Sequence, residues 1–213
     1  MTEKLYDKDS YLKEFQATVV SCEQKNETTW RITLDKTVFF PEGGGQTGDS
    51  GWLNDVKVAD TREKNGVIYH ETKAPLEVGT KVAGKIDFAI RFDKMQQHTG
   101  EHILSGIVCS TYNYNNVGFH LSSEITTLDF DGELSAEQVC ELEIRVNQAI
   151  HENIPVQVKF PTQAELAEMD YRSKIEIEGQ VRIVEIPGID RCACCAPHVK
   201  TTAEVGLLKI QGC

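Results

Sequence analysis

The stretch RFDKMQQHTGEHILSGIVCSTYN, Arg91–Asn113, decides how this chain is read. Before it the sequence is broken into short runs rich in β-branched and aromatic residues; from it onward apolar residues recur at helical intervals. Met95, His98, His102 and Ser105 or Gly106 follow one stripe, which predicts a helix with Asp93 as its N-cap. The stripe also raises a chemical question. Residues i and i+4 of a helix share a face one turn apart, so His98 and His102 can present two ring nitrogens to one ion, or be two ordinary histidines on a helix face.

Upstream, from Phe15 to about Phe88, the runs QATVVSCEQ, TTWRITLD, TVFF, VKVADTRE, GVIYHET and KVAGKID are separated by Asn, Gly, Asp and Pro, the pattern of a small antiparallel barrel or sandwich. One interruption, FFPEGGGQTGDSGWL, carries Gly43, Gly44, Gly45, Gly48 and Gly51 with Gln46 and Asp49 between them. It reads either as a wide hairpin turn or as main chain able to come close to a ligand. Downstream, FHLSSEITTLDFDG predicts a strand pair, and IPVQVKFP and GQVRIVEIPG predict further strands around a short helix in TQAELAEMD. LSAEQVCELEIRVNQAIHEN predicts a helix with a capping box of Ser135 and Gln138 and an apolar face of Val139, Leu142, Val146 and Ile150. The expected fold class is α+β: a β-barrel-like domain over residues 1–89, then an α/β two-layer domain over residues 90–213.

With 213 residues and 40% hydrophobic content, the chain is long enough to bury two modest cores. A net charge of -11 argues against a generic polyanion binder. Arg172, Lys174, Arg182, Arg191 and Lys200 are concentrated late, which by itself reads first as a solvated mixed-charge surface, and any nucleic-acid contact is expected there. The opening MTEKLYDKDSYLKEF lacks the profile of a secretory signal and no apolar run approaches bilayer length, so a cytoplasmic protein without membrane association is expected. Of 7 cysteines, Cys192, Cys194 and Cys195 crowd together, an arrangement that in a reducing compartment points to metal binding or reactivity rather than cross-linking.

In RCACCAPHVK, Cys194 and His198 form a second short-spaced ligand pair. Zinc is satisfied by thiolate and imidazole, and two such pairs from distant segments are a common way to build a tetrahedral site. Three imidazoles with one thiolate and no redox-specific arrangement favour zinc over copper or iron. Cys192, Cys194 and Cys195 all lie near His198, and only one need ligate. His120 either faces the same cavity or is a hydrogen-bonded strand residue; His70 and His151 have no evident partners. His98, Glu101 and His102 also spell H-x-x-E-H, the inverted zinc-protease signature with Glu101 as general base. That signature calls for a carboxylate ligand and a long cleft, whereas the remaining strong candidates here are Cys194 and His198.

Taken together, QQHTGEH, CCAPHV following a cysteine, and FFPEGGGQTGDSG resemble the editing region of alanyl-tRNA synthetase and its free-standing relatives, the AlaX-type trans-editing proteins. The resemblance covers nearly the whole chain, with GFHLSSEITTLDF, ELEIRVNQAIHENIPV and GQVRIVEIPGIDRC in the family's order and no room for an aminoacylation domain. It implies that residues 90–213 are a zinc-bearing editing domain with His98, His102, Cys194 and His198 as ligands. The implied activity is that of a zinc-dependent aminoacyl-tRNA deacylase acting in trans on the acceptor end of tRNA(Ala) carrying serine or glycine, with no obligatory protein partner. Gln46 and Glu101 are the candidate catalytic side chains, and Gly43, Gly44, Gly45 and Thr33 the candidate substrate contacts, with Thr37 a further candidate for serine's hydroxyl. Arg172, Lys174, Arg182 and Lys200 are the candidate RNA contacts. The family usually ends its motif Cys-Gly-Gly-Thr-His; here Cys194, Cys195, Ala196, Pro197 and His198 keep the ligand spacing and lose both glycines and the threonine. Editing of Ser-tRNA(Thr), and a non-catalytic zinc-stabilised RNA-binding module, are the alternatives.

Overall fold

The structure is a computed structural model describing residues 2–122, 125–173 and 179–212; the chain divides into two compact units, Met1–Asp93 and Lys94–Cys213. In the first unit, β1 (Glu3–Lys4), β2 (Glu14–Asn26), β3 (Thr29–Leu34), β4 (Lys36–Thr37), β5 (Gly51–Leu53), β6 (Val56–Lys64), β7 (Val67–Thr72) and β8 (Lys81–Ile86) follow one another. Six of them close a barrel in the order β2-β3-β7-β6-β5-β8, while β1 and β4 pair in parallel beside it. Period-2 alternation decides which way each side chain faces: along β8, Val82, Gly84 and Ile86 are buried and Lys81, Ala83 and Lys85 exposed. Long β2 serves two neighbours, pairing with β8 through Glu14–Thr18 and with β3 beyond a bulge at Val19/Ser21. Gly84 lies opposite Phe15 and a Cβ there would sit 2.0 Å from that ring, so only glycine lets the aromatic cross its neighbour strand.

Two expectations change here. TVFF contributes only Thr37 to a ladder, after which Val38 and Phe39 leave the sheet yet join the barrel core, both at 0% exposure, and Phe40 is buried edge-on against Tyr6. The closing strand β5 has no sequence signal, because three residues behind a glycine-rich turn are too few to show a period.

His70 is the polar member of the barrel core. Its Nδ1–H donates to the Ile32 carbonyl at 3.0 Å, so Nε2 accepts from the Thr37 hydroxyl at 2.8 Å. Burial, only partly offset by the Ile32 hydrogen bond, pushes its pKa down from 6.5 to about 4. The unfolded chain therefore takes up a proton that the barrel refuses. The stabilisation is complete above pH 6.5 and is lost as the pH falls toward 4, by about 3 kcal/mol in all. Both tryptophans, Trp30 and Trp52, lie in this unit, so urea unfolding followed by their fluorescence should show the loss, and His70→Gln, weaker at neutral pH, should lack it in this window.

Helix α1 (Phe88–Tyr112) starts five residues before the expected cap: the Arg91 N–H already bonds the Asp87 carbonyl at 3.1 Å, and Asp93 lies inside the helix. The second unit continues with β9 (Asn116–Leu121), β10 (Thr126–Phe130), α2 (Ala136–His151), β11 (Gln157–Lys159), α3 (Gln163–Ala167), β12 (Ile183–Ile186) and β13 (Asp190–Ala193). β9 and β10 form an antiparallel hairpin, and β11-β12-β13 an antiparallel sheet. The Ser135/Gln138 capping box starts α2, whose Leu142, Val146, Ala149 and Ile150 pack with Ile103, Leu104, Ile107 and Val108 of α1. His120 and His151 are exposed. No helix among the described residues is long and apolar enough to cross a membrane.

Candidate metal centre

Helical spacing puts His98 and His102 on one buried face of α1, and the loop after β13 returns Cys194 and His198 to it; the four ligand atoms lie within 4.8 Å of one another. The Cys194 Sγ is 3.6 Å from His98 Nε2 and 3.5 Å from His198 Nε2. Zinc bonds of about 2.3 Å to sulfur and 2.0–2.1 Å to nitrogen, at tetrahedral angles, separate sulfur from nitrogen by about 3.6 Å. The donor set and its spacing thus fit a tetrahedral zinc ion. Phe119 of β9 packs on the His98 ring at 4.8 Å between centroids.

The outward nitrogens are held as a metal site requires. His102 Nδ1 bonds Asp190 Oδ2 at 2.9 Å, and His198 Nδ1 shares a hydrogen bond of 3.0 Å with the Thr99 hydroxyl. Burial opposes charge on the Cys194 thiol, but His98 and the other two imidazoles outweigh it and hold the thiol well below its ordinary range. Burial and the neighbouring His102 push His198 down to about 3, a neutral ring with a lone pair to give. On His102 burial is again outweighed, here by Asp190 and Cys194, so this corner favours positive charge. Among the other cysteines, burial pushes the Cys192 thiol up to about 11, and Cys195 is exposed.

Glu101 is buried beside the cluster. Its Oε1 accepts from Ser105 Oγ and Asn116 Nδ2, each at 2.7 Å, and its Oε2 lies 3.7 Å from His102 Nε2. Two late arginines have internal partners. Arg172 makes a bidentate pair with Asp190, at 2.7 and 2.9 Å. Arg182 donates to the carbonyls of Cys194 and Ala196 at 2.7 and 2.9 Å, clamping the loop between Cys194 and His198. Lys200 is exposed, and Lys174 lies outside the described residues.

In the barrel unit, Gly43 to Gln46 form a tight turn closed by two 3.0 Å backbone hydrogen bonds, with Gly44 and Gly45 at φ of 59° and 80°. Both central residues occupy the left-handed region that a two-residue hairpin demands, so these glycines have a backbone reason to be there. Gln46 is fully buried, and the Thr33 and Thr37 hydroxyls bond Ser21 and His70. Sequence reasoning missed Thr99, Asp190 and Asn116. Only Asp190 left a trace, since it alternates with Cys192 onto the buried face of β13.

Residues 5–90 match the tRNA synthetases class II (A) family, and residues 181–212, which carry Cys194 and His198, match the threonyl and alanyl tRNA synthetase second additional domain. The first unit and the end of the second are thus each similar to a part of aminoacyl-tRNA synthetases. Alanyl-tRNA editing protein AlaX-M of Saccharolobus solfataricus is 36% identical, over 99% of this chain and 94% of its own length. AlaX-L of Pyrococcus horikoshii is 35% identical over 99% of this chain, and Aarsd1 of Mus musculus 31% over 98%. The chain belongs to the AlaX/Aarsd1 family of alanyl-tRNA editing proteins. It spans about half the length of AlaX-L and Aarsd1, 54% of each.

Proposed function

We propose that this chain is a zinc-dependent aminoacyl-tRNA deacylase that hydrolyses mischarged tRNA(Ala), chiefly Ser-tRNA(Ala) and also Gly-tRNA(Ala), in trans and in the cytoplasm. The observation that carries the reading is the buried His98, His102, Cys194 and His198 cluster in a chain of the alanyl-tRNA editing family. An aminoacyl ester is already activated, so the protein need only hold it, orient a water and stabilise a developing oxyanion. When bound, zinc supplies a positive charge that polarises the ester or anchors a substrate amine or hydroxyl, and four protein ligands make it an organiser of the pocket rather than a source of hydroxide.

Glu101, kept in place by Ser105 and Asn116, is the carboxylate assigned to the attacking water. Gln46, Thr33 and the Gly43–Gly45 turn are assigned to the substrate side, with residues 1–89 and 90–213 dividing the work as barrel and editing domains. The RNA contacts are assigned to Arg172, Lys174, Arg182 and Lys200, the two arginines also holding partners inside the fold. Preference for serine over alanine follows from hydrogen-bonding serine's hydroxyl, since alanine leaves that buried partner unpaired; glycine lacks the same hydroxyl and ranks below serine for the same reason.

The test is amino-acid release from four substrates. Ser-tRNA(Ala), with Gly-tRNA(Ala) second, should be hydrolysed and Ala-tRNA(Ala) spared. Preferential release from Ser-tRNA(Thr) would move the activity to the threonine system, which shares the matched accessory domain. Release from none would leave a zinc-stabilised binding module.

A further inference from the structure

We infer that Arg172 and Asp190 are positioning residues for His102, a relay that fixes one ligating ring and thereby sets how tightly the centre holds zinc. The inference rests on the metal-centre reading above. Asp190 has 1% side-chain exposure and divides its carboxylate between two partners: both oxygens meet the Arg172 guanidinium, and Oδ2 also accepts from His102 Nδ1. A histidine held at Nδ1 by a carboxylate has its tautomer and ring plane decided, and its Nε2 becomes a better donor. A lone carboxylate at this depth would be destabilised by burial and drawn toward protonation. Arg172, with 17% side-chain exposure, supplies the counter-charge, its Nε and a terminal nitrogen reaching the two carboxylate oxygens at 2.7 and 2.9 Å.

The backbone shows that this is a built arrangement. Arg172 is stapled along β13, its N–H bonding the Arg191 carbonyl at 2.8 Å and its carbonyl accepting from the Ala193 N–H at 2.9 Å. That places the guanidinium beside Asp190 on the strand that leads into Cys194. From the other side, α1 reaches the same strand through Gly106, where a Cβ would lie 2.5 Å from the Ile189 carbonyl and 2.7 Å from Asp190 Cβ. Helix, strand and arginine thus converge on one carboxylate, and the carboxylate on one ligand.

The experiment measures zinc affinity by chelator competition, the cobalt(II) absorption spectrum, and the melting temperature of the metal-free chain, for wild type, Asp190→Asn, Arg172→Gln and Arg172→Lys. Asp190→Asn should weaken zinc roughly 10- to 100-fold and shift the cobalt ligand-field band. Arg172→Gln, acting at one remove, should weaken it less, with Arg172→Lys recovering part of the loss by restoring charge without the bidentate fork. Should Asp190→Asn fail to fold, the two Arg172 variants carry the comparison. A lower metal-free melting temperature with affinity changed by less than about twofold would make the pair a staple of the fold and overturn the inference alone. Wild type that takes up no zinc would overturn the metal-centre reading and this inference with it.

Discussion

Cys194→Ser should strip stoichiometric zinc from the purified chain. A structural zinc site of four ligands contributes about 10–16 kcal/mol at neutral pH, so one ligand accounts for roughly 3–4 kcal/mol, a 10²- to 10³-fold loss of affinity. The effect is expected at the large end of that range, because serine replaces a buried thiolate by a hydroxyl that stays protonated among three imidazoles. Cys195→Ser is the informative neighbour. Its side chain is exposed, so zinc content, measured by metal analysis after dialysis, should stay at the wild-type value. Loss of zinc in the Cys195 variant with retention in the Cys194 variant would mean that adjacent cysteines exchange roles on metal binding. Deacylation of Ser-tRNA(Ala) should fall in step with zinc content, tying the proposed activity to the centre.

The second large effect lies in the barrel unit. Arg91 is completely buried and bound to Asp49 through Nε at 2.9 Å and through its terminal nitrogen, with further donations to the carbonyls of Val38 at 2.7 Å and Ser10 at 3.1 Å. Asp49 also accepts from the Phe40 N–H at 2.6 Å, so one ion pair pins the glycine-rich loop and the Val38–Phe40 segment together. Asp49→Ala leaves an unpaired guanidinium in the core and should cost about 3–5 kcal/mol, lowering the melting temperature by roughly 10 °C. Replacing both partners, Arg91→Met with Asp49→Leu, should recover most of this, since the penalty belongs to the abandoned charge rather than to the lost bond. Equal losses in the single and double variants would show instead that the loop depends on this hydrogen-bond geometry itself.

This pair also explains part of the glycine-rich segment. Gly48 is pressed against β6, where a Cβ would come within 2.1 Å of the Thr61 carbonyl, and Thr61 Oγ1 donates to the Asp49 carbonyl at 2.8 Å. Two glycines make the hairpin, and Gly48 lets the loop approach its neighbour closely enough to deliver Asp49 to Arg91. Composition alone could not separate these uses from ligand binding, since each requires the same missing Cβ.

What the sequence determined by itself had a local period or cap: the alternation along β2, β6, β7 and β8, the capping box and apolar face of α2, and the four-residue spacing that puts His98 and His102 on one helix face. What it could not hold was the identity of partners far along the chain. The late arginines illustrate the difference: by charge they read as a solvated mixed-charge surface or a place for RNA, and neither reading names the partners found, Asp190 for Arg172, 18 positions on, and for Arg182 the carbonyls 12 and 14 positions on. Likewise β5 is a strand only because β6 and β8 offer their edges, and Asp190 touches the centre only because α1 is bare at Gly106. Propensity and periodicity act between neighbours in sequence, whereas a charge is placed by whichever counter-charge the folded chain brings within about 3 Å of it.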